Sequence, residues 1–152
     1  MNREIKFRGK CVPDSKYAGE WVTGGYVAPE SDCKKQDEGL IISYYGGNTQ
    51  CVFHVIPDTV GQFTGLKDKN GQEIFEGDII NTAFSTRAFG VVTWNEDGYF
   101  FIDVHFGKYD KFNDEYSTLG HMLRVQIDGK PIDIEVIGNI HENPELMKGG
   151  RQ

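Results

Sequence analysis

Asp103 and His105 are the two residues whose types and spacing come nearest to a catalytic pair in this chain. They alternate within residues 99–106 (YFFIDVHF), a stretch whose pattern predicts a strand. Residues two apart on a strand share a face, with their Cα atoms about 7 Å apart. A carboxylate beside an imidazole suits acid–base catalysis or half of a metal site. An ordinary pair on a partly solvated sheet face explains the same spacing, and we favour it.

The other residues that carry out chemistry do not form a recognised motif. No histidine stands at metal-site spacing from another ligand, and no phosphate-binding loop, zinc-protease helix motif or serine-nucleophile motif occurs. The cysteines are odd in number and lack a CxxC spacing, so we expect free thiols in a reducing compartment rather than a disulfide framework or a zinc site. We therefore predict no catalytic residue, no metal site, no cofactor and no enzymatic activity. The residues concerned are His54, His105, His121, His141, Cys11, Cys33 and Cys51.

Four acids lie within eleven residues, and such a cluster raises the question of cation binding. They are Asp68, Glu73, Glu76 and Asp78. The segment that begins at Asp68 and continues to Asn70-Gly71 is a fragment of a calcium-binding loop, but the later ligands are missing. A turn explains Asn70-Gly71, because Asn followed by Gly best tolerates the two positive φ angles of a type I′ turn. We therefore predict a hairpin with a two-residue turn here.

The elements that position these residues are short strands. Of the 152 residues, 19 are glycine, 38% are hydrophobic and 12% are aromatic, a globular balance with many turns. An alternating strand is predicted over residues 3–8, and residues 40–45 and 51–56 predict a hairpin, the first of its strands buried. Asn143 and Pro144 predict the start of a short C-terminal helix. The length fits one domain over residues 1–152.

Four blocks of the sequence carry a family resemblance. They are TVGQFTGLKDKNGQEIFEGDII at residues 59–80, IKFRGK near the N-terminus, GVVTW in the middle and EVIGNIHENPEL near the end. Together they resemble the YopX-like family of phage and prophage proteins. The resemblance implies a single mainly β domain whose sheet folds on itself as an SH3-like pseudo-barrel. It implies no activity, cofactor or catalytic residue.

The charge of the chain bears on its partners. The net charge is −7, and an acidic surface repels a phosphate backbone. Nucleic-acid binding would need a local basic patch, for which the candidates are Arg3, Lys6, Arg8 and Arg124. No run approaches the roughly 18 apolar residues of a membrane span, and the first ten residues lack the apolar core of a signal peptide. We expect a cytoplasmic protein with no membrane association.

The aromatic residues point to a protein interface. There are more of them than one small β core would bury, although a second small core beneath the loops is an alternative use for them. The candidate interface residues are Tyr99, Phe101, Tyr109, Phe112 and Tyr116. Our leading hypothesis is a non-enzymatic protein-binding module that forms a homo-oligomer and contacts an unidentified phage or host protein. The alternatives are a nucleic-acid-associated small barrel in phage DNA metabolism or regulation, and a hydrolase that uses Asp103 and His105.

Overall fold

A computed structural model describes residues 4–29, 38–46, 49–81, 88–96, 100–106, 126–127, 130–131 and 134–148. Within these ranges the chain forms twelve strands, one 3-10 turn and one short helix. The prediction of a mainly β protein with a short C-terminal helix is confirmed, but within the described ranges the sheets are not closed into a barrel. The SH3-like pseudo-barrel stays a prediction. The chain divides into two compact units, Met1–Phe63 and Thr64–Gln152. The prediction of a single domain over residues 1–152 stays a prediction as well.

Unit 1 is an antiparallel sheet with the strand order β4-β3-β2-β1-β5. Strand β5 begins in this unit and pairs there with β1 through Gly61 and Gln62. Strand β4 is the outermost of the five. The 3-10 turn Pro57–Thr59 joins β4 to β5. The strands are β1 (Phe7–Lys10), β2 (Trp21–Val27), β3 (Gly39–Tyr45), β4 (Thr49–Val55) and β5 (Gly61–Lys67).

The core of unit 1 lies on one face of this sheet. Ile41 and Val55 are fully buried, and they alternate along their strands with half-buried or exposed residues, as a one-sided sheet requires. An isolated antiparallel bridge joins Cys11, just after β1, to Val55 at the end of β4. The predicted hairpin of β3 and β4 is confirmed, paired from Gly39↔Val55 to Tyr45↔Thr49. The core cluster consists of Cys11, Val22, Ile41, Phe53 and Val55.

Unit 2 contains the second part of β5 and all later elements. A four-stranded antiparallel sheet has the order β12-β7-β8-β9, strand β6 lies beside β5, and β10 and β11 form a short ribbon. A second core cluster is buried here, made of Ile74, Ile80, Val92, Phe100 and Ile134. The elements are β6 (Glu73–Phe75), β7 (Asp78–Asn81), β8 (Ala88–Trp94), β9 (Phe100–Phe106), β10 (Gln126–Ile127), β11 (Lys130–Pro131), β12 (Glu135–Asn139) and α1 (Pro144–Lys148).

The hairpin predicted at Asn70-Gly71 is present, but the two-residue turn is wrong. Strand β5 ends at Lys67 and β6 begins at Glu73. The Asp68 N–H donates to the Gln72 carbonyl at 2.8 Å, so three residues lie between the closing pair, and the last of them, Gly71, has a φ of +82°. The longer loop forms because the Asp68 carboxylate accepts N–H groups from both Asn70 and Gln72. This geometry resembles the three-residue hairpin that ends in a left-handed glycine.

Two other local expectations differ from the structure. The first strand begins at Phe7 rather than at residue 3, and Ile5, expected inside, is 69% exposed. In the predicted buried strand over residues 40–45, only Ile41 is fully buried, while Tyr44 and Tyr45 are both largely exposed. The reason is that the core of unit 1 covers one face of one end of the sheet, and both tyrosines lie beyond it on β3.

Candidate functional site

The sequence-predicted catalytic pair lies on β9. Asp103 pairs with Val91 of β8, and His105 pairs with Phe89, so both positions share one face of the strand. The positions of the other face begin with Phe100, which is buried in the unit 2 core. The side chains of Asp103 and His105 lie outside the described part of the structure, so the hydrolase hypothesis stays a prediction.

The predicted aromatic interface falls mostly outside the described residues. Phe101 lies in β9 opposite Thr93, and its side chain is not among those described. Tyr99, Tyr109, Phe112 and Tyr116 lie outside the described ranges altogether. The structure therefore does not bring these five residues together or separate them, and the interface stays a prediction.

Two of the four residues of the predicted basic patch are described. The Lys6 ammonium lies 3.5 Å from the Glu4 carboxylate and 4.8 Å from the centre of the Phe63 ring. The Arg8 guanidinium lies 4.8 Å from the centre of the Trp21 ring. Arg3 and Arg124 lie outside the described ranges. Both described cations thus contact aromatic rings within unit 1, a contact that shields part of each side chain from solvent. The basic patch stays a prediction.

Two of the clustered acids have a structural role in unit 2. Asp68 is 7% exposed, and its carboxylate accepts N–H groups from Asn70 at 2.8 Å, Gln72 at 2.9 Å and Val136 at 3.1 Å. Asp78 is 1% exposed and accepts the Phe75 N–H at 2.8 Å, which closes the turn at Gly77. These carboxylates replace backbone partners that the loops cannot supply. Across the described ranges, no three His, Cys, Asp or Glu residues converge as metal ligands would.

The Asp68 carboxyl titrates below its ordinary range. Its burial is the largest single influence and raises the pKa. The N–H groups of Val136, Gln72 and Asn70 and the charge of Lys69 each lower the pKa, and together they outweigh the effect of burial. The net pKa is therefore lowered. A carboxylate held in the charged form by backbone donors is suited to bracing a loop rather than to proton transfer at neutral pH.

The described residues do form one exposed apolar surface, on unit 1. Cross-strand pairs place Val27 opposite Leu40, and Ile42 opposite Val52, on the sheet face that points away from the core. Val27 is 47% exposed, Val52 is 49% exposed and Tyr44 is 68% exposed. We call this surface the β2–β4 face, and it consists of Val27, Leu40, Ile42, Tyr44 and Val52. Isolated exposed apolar residues are ordinary, but a contiguous set across three strands is typical of contact surfaces.

The β2–β4 face ends at an open strand edge. Backbone groups alternate sides along a strand, so in β4 the N–H and C=O of Gln50 and Val52 point away from β3. Farther along β4 the equivalent groups have partners: Val12 donates to the His54 carbonyl at 3.0 Å, and Ile56 donates to the Lys10 carbonyl at 2.9 Å. In the described part of the chain no strand lies alongside Gln50 and Val52 on this side.

A cleft of about 470 Å³ opens beside this face, lined by residues 4–6, 23–25 and 42–45. It forms because the ladder between β2 and β3 stops at Gly25↔Ile42, whereas the ladder between β2 and β1 starts at Gly24↔Phe7. The Ser43 hydroxyl donates to the Thr23 carbonyl at the base of the cleft. Tyr44 and Tyr45 stand at its rim. The ion pair of Glu4 with Lys6 leaves the lining without a dominant charge.

The sequence prediction of a buried strand over residues 40–45 assigned part of this surface to the core. The composition of β4 nevertheless contains a signal for an exposed edge. These residues read LIISYY, and a run of apolar residues does not reveal which face is covered. From Thr49 to Val55, β4 contains no Asp, Glu, Lys, Arg or Pro. Edge strands usually carry such residues, which prevent pairing with other chains. That absence could have identified an edge strand open to pairing.

Comparison with known proteins identifies the family. The YopX protein family matches residues 6–148, which includes both units. The chain belongs to the YopX protein family. The resemblance seen in the four sequence blocks is thus confirmed for nearly the whole chain of this YopX-family protein.

One solved structure is similar to the chain over most of its length. Protein EF1440 from Enterococcus faecalis, known from a crystal structure, is similar to this YopX-family chain with 26% sequence identity and a TM-score of 0.53. The match covers 96% of this chain and 99% of EF1440. No curated protein matches the chain. Among the described residues, no helix has the length and apolar character needed to cross a membrane.

Proposed function

We propose that this YopX-family chain is a non-enzymatic protein-binding module and that its first partner is another copy of itself. The observation that carries the proposal is the β2–β4 face together with the open edge of β4. Val27 and Val52 keep about half of their surface in solvent, and Tyr44 keeps more. Pairing of the open β4 edge with a second copy would give its backbone groups partners and would remove the apolar area around Val52 from water at roughly 25 cal/mol per Å², which favours association.

Two of the buried acids already have structural roles. Asp68 and Asp78 are occupied by backbone N–H groups of their own loops, which leaves them poorly placed for proton transfer or for a cation. The Cys11 and Cys51 thiols are free, which agrees with the cytoplasmic location that we propose. We retain from the sequence the phage or prophage origin, the SH3-like arrangement and a further, unidentified phage or host protein partner.

Solution mass tests the proposal. Light scattering across a wide range of protein concentration should show a mass that rises above the 17.2 kDa of one chain. The predicted aromatic set is tested in the same assay with Phe101→Glu and Tyr116→Glu. A fall to the monomer mass with either variant places that residue in the interface. A wild-type mass that equals one chain at every concentration would overturn self-association.

A further inference from the structure

We infer that two copies of this chain associate by antiparallel pairing of their β4 strands about a two-fold axis at Cys51. This inference rests on the proposed self-association and names the surface and the register through which it occurs. Strand addition at an open edge supplies main-chain hydrogen bonds, while the neighbouring side chains give specificity. The partner is a second copy because the available groups of β4 are complementary to themselves.

The capped end of β4 restricts the register. The carbonyl of His54 and the N–H of Ile56 already pair with Val12 and Lys10, at the end of β1 and just after it. A partner strand therefore cannot continue past His54 without displacing that segment. Within the described part of the chain, the N–H and C=O of Gln50 and of Val52 have no backbone partner, and the residue midway between them is Cys51. A two-fold axis there places Gln50 opposite Val52 of the second copy, and all four groups on each strand find a partner.

The side chains agree with this arrangement. Between Thr49 and Val55 the strand carries no Asp, Glu, Lys or Arg, although the whole chain has a net charge of −7. Two copies therefore bring no like charges together along the paired strands, where directly opposed like charges would be destabilising. Val52 of each copy lies opposite Gln50 and diagonally across from Val52 of the second copy, so the two β2–β4 faces lie on the same side of the joined sheet. A symmetric interface uses the same patch twice, as this one does.

The register makes Cys51 a built-in reporter. At the axis it forms a non-hydrogen-bonded pair with its symmetry mate, for which the Cα atoms lie about 4.5 Å apart. Disulfides need Cα atoms about 4.4–6.8 Å apart. A register shifted so that Val52 lies on the axis would move the two Cys51 Cα atoms to roughly 8 Å, beyond that range. Cys51 is half-buried at the margin of the unit 1 core, whereas Cys11 is buried within it.

The test combines association with cross-linking. Val52→Lys is compared with Val27→Lys, a matched control of nearly equal exposure (49% and 47%) on the same face but two strands away from the edge. The dissociation constant measured by sedimentation should rise at least about tenfold more for Val52→Lys, because each copy then buries a charge near its like. Trp21 fluorescence and circular dichroism verify that both variants are folded.

Oxidation with diamide of the wild-type chain should give a dimer linked through Cys51, identified by peptide mass spectrometry and absent from Cys51→Ser. In the Cys51→Ser background, Thr49→Cys should not link, because its symmetry mate would be about 13 Å away. The β4 register would be overturned, with self-association still supported, if the wild type associates but the two lysine variants raise the dissociation constant equally and no Cys51 disulfide forms. Linking through Thr49→Cys would likewise overturn it. A monomeric wild type would overturn both proposals.

Discussion

The Asp68 carboxylate in unit 2 permits a quantitative prediction, tested with Asp68→Asn. The wild-type side chain accepts three N–H groups, two from its own hairpin loop and one from Val136 of β12, 68 residues away in sequence. In the variant, the side-chain amide keeps one oxygen that can accept the two loop N–H groups. Its NH2 group replaces the second oxygen and cannot accept the Val136 N–H. Hydrogen bonds to a charged acceptor contribute roughly 1.5–3 kcal/mol each, and neutral ones about half as much. Losing one bond and weakening two should lower the free energy of unfolding of unit 2 by about 3 kcal/mol.

The two tryptophans allow the two units to be followed separately, since Trp21 lies in unit 1 and Trp94 in unit 2. In a Trp21→Phe background, urea unfolding is followed by Trp94, which packs edge-on against Phe100 with ring centres 4.7 Å apart. Glu96→Gln is the control, because it removes an exposed carboxylate from the same unit. We expect the control to lie within about 0.5 kcal/mol of the parent protein. If the free energy of unfolding of Asp68→Asn is also within about 0.5 kcal/mol of the parent value, the reasoning is refuted.

The pH dependence provides a second readout of Asp68. The folded pKa is lowered, so the stabilisation is complete above the unfolded pKa of about 3.9 and is lost as the pH falls through the folded value. The stability difference between the parent protein and Asp68→Asn should therefore be constant near neutral pH and should narrow in acid. A difference that does not change with pH would show that the charge of Asp68 has no role.

Two further predictions concern unit 1. Gly24→Ala should destabilise it by more than about 2 kcal/mol, because a Cβ at Gly24 would overlap the Ile42 carbonyl oxygen. Gly25→Ala should cost about 1 kcal/mol or less, since the atom nearest to its Cβ is 4.0 Å away. Urea unfolding followed by Trp21 in a Trp94→Phe background measures both, and equal losses would contradict the close approach at Gly24. In dilute protein, iodoacetamide should label Cys51 faster than Cys11, because Cys11 is only 2% exposed. Burial, and to a smaller extent the nearby charge of Glu20, also raises the pKa of the Cys11 thiol. Peptide mass spectrometry over time measures the two rates, and faster labelling of Cys11 would contradict its buried position.

Local sequence patterns predicted the elements well where the signal is short-range. Asn70-Gly71 indicated a hairpin and Asn143-Pro144 indicated a helix start, because turn and cap preferences depend on a few neighbouring residues. Such preferences could not predict the length of the hairpin loop. It depends on Asp68, whose second carboxylate oxygen binds Val136 on a strand much later in the chain. The sequence marks Asp68 as a turn residue but does not show its distant partner.

The exposed surface was harder to predict than the elements. In the LIISYY run of β3, apolar and aromatic residues occur on both faces, so alternation does not identify the buried face. The structure buries Ile41 and exposes Tyr44 because the sheet of unit 1 packs only one end of one face against its core. The candidate site predicted from the aromatic residues of 99–116 lies largely outside the described ranges, so it remains a separate hypothesis.

The sequence alone determined the family, the mainly β class, the positions of most strands in unit 1 and the acidic charge of this protein, because these follow from motifs, composition and local periodicity. Only the tertiary structure decided which strand lies at the edge, where its backbone groups are already paired, and that the adjacent glycines 24 and 25 differ in the space around them. These features arise from contacts between segments far apart in sequence. The residues of a strand can be predicted from the local sequence, but which strands lie beside it depends on how the whole sheet assembles.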